Sequence, residues 1–339
     1  MRLRRALTAV CLCAALFLGP RISSAGPVTL SYSNFFPPNH VMSKLAEDWC
    51  REVEKRSGGK IAFNYFPGQT LTKADQVYDG VVNGISDVGM SLFSYTRGRF
   101  PVMQAVDLPL GYPSGKVATA VVGEVYRELK PKELNDVKVL YLHAHGPGLI
   151  WTKSRPVRTM NDMRGIKFRA TGASADLIKA LGGTPVAMPM PETYQSLLTG
   201  VADGAAYPME ASKGWKLAEV TKYLTECYPV AYTSSFFAVM NKAKWDALPA
   251  DVKKVIDQVS AEWVPKTAEA WDEIDREGLE YFKSKGGEVI ALPADESARW
   301  KKAVAPVLDA YVEDAKKKGV DGKKALSVAE KVLAKDSRK

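Results

Sequence analysis

Residues 161–208 constrain the fold of this chain more than any other stretch. They open on Asn161-Asp162-Met163-Arg164-Gly165-Ile166-Lys167-Phe168-Arg169, whose last four residues alternate apolar and basic as a short strand does. Gly172 precedes a helical run over residues 173–181, and Gly182-Gly183-Thr184-Pro185 turns the chain into a buried strand over 186–190. A second helix over 192–198 leads to Gly200-Val201-Ala202-Asp203-Gly204-Ala205-Ala206-Tyr207-Pro208. Strand, helix, strand, helix, strand with short Gly and Pro turns predicts a parallel sheet in an α/β domain. Ligands of such sheets bind beyond the carboxyl ends of the strands, where Arg169 and Tyr207 both fall.

A second unit precedes this one. Residues 28–34 alternate as a first strand, the loop 35–40 follows, and Leu45, Trp49 and Val53 form the buried stripe of a helix over 41–55. A strand over 61–65 and a helix over 74–82 then run into Asn83-Gly84-Ile85-Ser86-Asp87-Val88-Gly89-Met90. The segment Val81-Val82-Asn83-Gly84-Ile85-Ser86-Asp87-Val88-Gly89 resembles Leu197-Leu198-Thr199-Gly200-Val201-Ala202-Asp203-Gly204. Chance similarity is one reading of so short a match; the other is two lobes of related build facing one cleft. At 339 residues the chain has the length for two domains.

Residues 115–129 form a helix and 137–144 a strand that ends at His145-Gly146-Pro147-Gly148. The chain crosses to the second lobe just beyond and returns near 234–241. A helical pattern over 250–285 carries Trp263 and Trp271 and contains Pro265, where a kink is expected. Such a helix can span both lobes as the spine of a hinge. Residues 297–335 are helical and peripheral. The expected division is therefore 26–149 plus 237–277 for one lobe and 150–236 plus 278–339 for the other.

The first 25 residues stand apart. Arg2, Arg4 and Arg5 precede an apolar run from Ala6 to Leu18, and Ser23-Ser24-Ala25 supplies small residues for cleavage. This is the pattern of a secretory signal peptide, so the mature protein is expected outside the cytoplasm. Removing Arg2, Arg4, Arg5 and Arg21 leaves 43 basic against 38 acidic residues, a net +5. Much of the excess lies in Lys316-Lys317-Lys318, Lys323-Lys324 and Lys335, without interleaved aromatics; that is a solvated helix face, not a nucleic-acid patch. Cys50 and Cys227 remain after cleavage, and an oxidising compartment permits but does not require a disulfide between them.

Motifs for catalysis are sparse. No Gly-x-Ser-x-Gly elbow, Walker loop or dinucleotide glycine fingerprint occurs, and no cofactor is implied. The three histidines, His40, His143 and His145, resemble a zinc triad and carry the rival reading, a secreted metal-dependent hydrolase. On a strand His143 and His145 share one face with no acidic residue beside them, which favours pocket or surface histidines. Arg169 is different. At the end of a strand it presents a rigid fork of donors that matches a carboxylate at two points. A structural ion pair within its own lobe is the alternative.

Taken in order, these motifs resemble a family. Asp162-Met163-Arg164-Gly165-Ile166-Lys167-Phe168-Arg169, Gly182-Gly183-Thr184-Pro185, Glu192-Thr193-Tyr194-Gln195-Ser196-Leu197 and Gly200-Val201-Ala202-Asp203-Gly204 are similar to the periplasmic solute-binding proteins of TRAP transporters. Pro67-Gly68-Gln69, Asp107-Leu108-Pro109 and Met240-Asn241-Lys242 with Trp245, Leu248 and Pro249 extend the likeness over the mature chain. The resemblance implies a two-lobed α/β periplasmic binding protein, type II-like, with crossing strands and a long hinge-spanning helix. It implies a non-enzymatic receptor in which Arg169 pairs with the ligand carboxylate as a selectivity filter. The loaded protein would deliver its ligand to a membrane permease of a small and a large subunit driven by a sodium gradient; transfer to an ATP-driven importer or a sensor is the other route.

Two departures from the family pattern matter. Many members read Asp-Gly-Gln-Glu-Asn-Pro where this chain has Asp203-Gly204-Ala205-Ala206-Tyr207-Pro208, so Tyr207 replaces an asparagine. Some members carry a second arginine where this chain has Pro147, Gly148 and Leu149. Both changes remove polar capacity. With Phe35, Phe36, Met190 and Phe236 nearby, and Tyr95 and Trp215 completing the lining, the expected ligand is a monocarboxylate with an apolar or aromatic portion. Tyr207, His145 and Ser91 are the expected hydrogen-bond partners.

Overall fold

The computed structural model describes residues 26–336, so the expected signal peptide over 1–25 lies outside the described residues. The strands are β1 (Val28–Asn34), β2 (Ile61–Phe66), β3 (Val88–Leu92), β4 (Val137–Ala144), β5 (Gly148–Thr152), β6 (Lys167–Ala170), β7 (Thr184–Ala187), β8 (Gly204–Pro208), β9 (Tyr223–Glu226), β10 (Ser235–Asn241) and β11 (Glu288–Ala291). The helices are α1 (Val41–Arg56), α2 (Val77–Val82), α3 (Gly115–Leu129), α4 (Ala173–Ala180), α5 (Thr193–Thr199), α6 (Ala211–Gly214), α7 (Lys242–Ala247), α8 (Ala250–Ser284), α9 (Ala294–Lys317) and α10 (Gly322–Asp336).

Two sheets result, ordered β2-β1-β3-β10-β4 and β11-β9-β5-β8-β6-β7, one per lobe. In the first, β1 runs parallel to β2 and β3, while β10 is antiparallel to β3 and β4. In the second, β6 runs parallel to β7 and β8, while β5 is antiparallel to β8 and β9. Only residues 145–147 separate β4 from β5, yet the two strands lie in different sheets, so the chain passes to the other sheet there, and it returns between β9 and β10.

The parallel unit expected over 161–208 is β6-α4-β7-α5-β8, with β7 beginning two residues early at Thr184. Pro185 sits in β7 without disrupting the sheet because β7 is its edge strand. The second lobe's core centres on Trp151. Its ring stacks on Tyr207 at 4.5 Å, its Nε1 donates to the Tyr207 carbonyl at 2.8 Å, and Phe282 meets it edge-on at 4.9 Å.

Helix α8 runs unbroken through Pro265 for 35 residues, about 50 Å at 1.5 Å per residue. Its first half packs on the first lobe, where Ser260 accepts from Trp49 Nε1 and Trp263 Nε1 donates to the Leu45 carbonyl. Its far end delivers Phe282 to the core beneath Trp151 in the second lobe. One departure concerns the chain's end. Helix α9 packs on α4 as expected of the second lobe, but α10 docks on α3, burying Val328 and Ala329 with Val121, Val122 and Val125. Its lysines stay exposed, while its apolar stripe packs on the first lobe. Cys50 and Cys227 are buried free thiols; burial raises the pKa of both, that of Cys227 to about 12.

Gly278 on α8 faces the backbone of Met209 and Glu210, and a methyl group there would overlap the Met209 carbonyl and lie 2.8 Å from the Glu210 Cα. Gly278→Ala is expected to destabilise by about 1–3 kcal/mol in urea unfolding. Gly123→Ala, on an exposed helical site with open space around it, should instead stabilise by roughly 0.5–1 kcal/mol. Equal effects at the two sites would refute the close approach of α8 to that segment.

Candidate functional site

A cavity with about 380 Å³ of atom-free space lies between the lobes at the strand ends. Nine of the ten residues singled out from the sequence line it: Arg169, Met190, Tyr207 and Trp215 from the second lobe, and Phe35, Phe36, Tyr95, His145 and Phe236 from the first lobe and the crossing segments. Ser91 does not. It faces the other side of β3 and donates to the Ala74 carbonyl at 2.6 Å, while its neighbour Leu92 lines the cavity. The two-residue period of a strand puts adjacent side chains on opposite faces.

Arg169 is 3% exposed. Alternation along β6 sends Phe168 into the core and Arg169 to the cavity side, where Val186 and Ala205 are its strand partners. Its Nε donates to the Met188 carbonyl at 3.0 Å and its Nη1 to the Ala206 carbonyl at 3.3 Å. Among the described residues no carboxylate lies within ion-pair distance of it. The structural ion pair that the sequence left open is thus absent from the described residues. Two neutral carbonyls hold the fork in place and leave its charge uncompensated, an arrangement that burial makes costly.

Aromatic rings form the rest of the wall. Phe35 and Phe36 follow β1 in a loop held by the Asn34 side chain, which accepts from the Phe36 amide at 3.1 Å. Phe35 lies nearly parallel to Trp215 and to Phe236, with centroids 6.1 and 6.4 Å away. Trp271 of α8 closes the group 5.3 Å from Phe236. From the first lobe, the Tyr95 hydroxyl accepts from the Met190 amide of the second at 2.9 Å, beside Arg169. Tyr207 contributes its backbone and ring: its hydroxyl, expected to face the ligand, is bonded instead to Thr221 at 3.0 Å.

The sequence did not single out Leu92, Thr171, Pro208, Glu210, Tyr232, Ser234 or Trp271, which complete the lining. Glu210 and Trp271 reach the cavity only by tertiary packing. Tyr232 and Ser234 sit on the return crossing into β10, so proximity to that crossing was their one legible signal. Glu210 pairs across the lobes with His40, Oε2 to Nε2 2.9 Å, and its amide donates to Asp275 Oδ1 at 2.8 Å. Burial pushes the Asp275 carboxyl well above the usual range, and neighbouring Glu210 adds to the shift.

The three histidines do not assemble a metal site. His143 Nδ1 accepts from Trp271 Nε1 at 2.9 Å, His145 Nδ1 donates to the Gly146 carbonyl at 2.6 Å, and His40 is committed to Glu210. Among the described residues no group of three or more His, Cys, Asp or Glu side chains is placed to hold a metal ion, which removes the basis of the hydrolase reading. Burial lowers the pKa of His143 to about 3, aided by His145, and that of His145 to about 4 against the opposing Gly146 bond. Both values fall below 6.5, so the native state binds fewer protons than the unfolded chain at acid pH. Their contribution to stability is full above that value and is lost as the pH falls toward 3. Each buried histidine is expected to add up to ~1.4 kcal/mol per pH unit to the loss of stability below pH ~6. His143→Gln should flatten the pH dependence of the urea midpoint by one such share, and an unchanged slope would acquit histidine burial.

Comparison with known proteins bears on this geometry. The model of the family described as bacterial extracellular solute-binding protein, family 7 (DctP), matches residues 32–314. A TRAP solute-binding protein from an unidentified marine microbe, described as specific for aromatic acid ligands and crystallised with 3-hydroxybenzoate, shares 30% identity at a TM-score of 0.87. That match covers 92% of this chain and 99% of the other. A TRAP solute-binding protein from Rhodoferax ferrireducens, solved with copurified benzoate, shares 32% identity at a TM-score of 0.85 with the same coverage. The C4-dicarboxylate-binding periplasmic protein DctP of Rhodobacter capsulatus is 27% identical over 320 residues, 92% of this chain and 95% of that one. Among the described residues no helix is long and apolar enough to cross a membrane. The chain belongs to the bacterial extracellular solute-binding proteins of family 7, the periplasmic receptors of TRAP transporters.

Proposed function

We propose that this protein captures a compact aromatic monocarboxylate between its lobes, pairs the carboxylate with Arg169, and delivers the ligand to a small and a large permease subunit in the membrane. One observation carries the reading: a buried guanidinium, fixed by the Met188 and Ala206 carbonyls and lacking a carboxylate partner among the described residues, faces a cavity walled by Phe35, Phe36, Trp215, Phe236 and Trp271. An organic anion supplies the missing countercharge, and the rings supply apolar contact for the rest of it. The aromatic acids bound by two relatives of the same fold support the choice of ligand class. A C4 dicarboxylate, the ligand named for the Rhodobacter capsulatus relative, would set its second charge against aromatic faces. Release from a low-dielectric pocket to the permease then requires the lobes to part, since ligand favours whichever state makes the larger contacts with it.

Breaking a buried charged pair by removing one partner costs on the order of 2–5 kcal/mol. Arg169→Ala is therefore expected to weaken benzoate or 3-hydroxybenzoate roughly 30-fold or more by calorimetry. Stabilisation against heat by succinate or sialic acid alone, with no response to any aromatic acid, would overturn the proposal.

A further inference from the structure

Resting on that reading of the cavity, we propose that Glu210 is a specificity-determining residue: it accepts a hydrogen bond from a hydroxyl on the part of the ligand remote from the carboxylate and excludes ligands with a second carboxylate. Glu210 is 3% exposed and is, among the described residues, the sole acidic side chain lining the cavity. Oε2 is taken by His40 Nε2 at 2.9 Å, whereas Oε1 makes no hydrogen bond among the described residues. A carboxylate oxygen with no hydrogen-bond partner keeps both lone pairs free for a donor.

The carboxylate cannot readily turn away to find one elsewhere. The Glu210 amide is tied to Asp275 Oδ1, and the close approach of Gly278 fixes the backbone around it. Gly214 leaves room for the His40–Glu210 pair: a methyl group there would stand 2.6 Å from both Glu210 Oε2 and His40 Nε2. The Arg169 guanidinium lies beside the Tyr95 hydroxyl. The cavity thus offers both a donor, at the arginine, and an acceptor, at the glutamate, among aromatic rings. A hydroxylated aromatic acid matches both. A second carboxylate in place of the hydroxyl would meet like charge in a site of low dielectric.

Calorimetry on the full mature protein with benzoate, 3-hydroxybenzoate, 4-hydroxybenzoate, isophthalate and terephthalate tests this. At least one hydroxybenzoate is expected to bind about tenfold or more tighter than benzoate, the scale of a hydrogen bond to a charged group. Both dicarboxylates should bind more weakly than benzoate. Glu210→Gln should cut the hydroxyl preference to roughly threefold or less and narrow the penalty on the dicarboxylates. The wild-type ratios decide the matter even if the variant folds poorly. Benzoate binding with no hydroxyl preference, or a preference that persists in Glu210→Gln, overturns the role of Glu210 while leaving the aromatic-acid reading intact. Failure of all five acids to bind overturns both.

Discussion

The site depends on a positive charge kept from water with no ion-pair partner among the described residues. Backbone carbonyls from the Met188 turn and from β8 orient the Arg169 guanidinium, but they cannot cancel it. In a medium of low dielectric such a group is costly until an anion arrives. The burial that makes an unpaired fork expensive also narrows what could satisfy it, since a partner must match both the fork and the surrounding rings. Tyr95 reinforces this by joining the second lobe at Met190, so the first lobe meets the arginine's surroundings directly.

The fold serves that charge by exchanging strands between its halves. β4 leads through only three residues into β5 of the opposite sheet, and β10 makes the return. His145 and Ser234 stand at these crossings, and both line the cavity. The wall of the site is thus built from the segments that connect the lobes as well as from the lobes themselves. Helix α8 adds Trp271 from the spine, so cavity wall, crossing strands and long helix meet at one place.

Legibility in the sequence followed the range of the physical signal. Local periodicity placed β1, β4 and α3 at their observed limits, since their alternation and caps are unambiguous. The order of the β6–β8 unit was legible too, though β7 begins two residues before its expected start. The errors arose where a residue's role depends on its neighbours in space. Ser91 was one residue out of phase with Leu92, and the Tyr207 hydroxyl was claimed by Thr221, a residue beyond the strand. Glu210 and Trp271 carry no local mark of a cavity, because packing against α8 brings them there. The lysines of α10 hid an apolar stripe that only the surface of α3 explains.

The return of α10 to α3 bears on how the halves move. Covalent chain passes between them at β4–β5, at β9–β10, along α8 and again from α9 to α10. Four connections of this kind restrict how far one half can twist or slide against the other, so few relative orientations are open to the pair. Halves held to few orientations have little rotational entropy to lose on settling into one, and the outer face they present varies little.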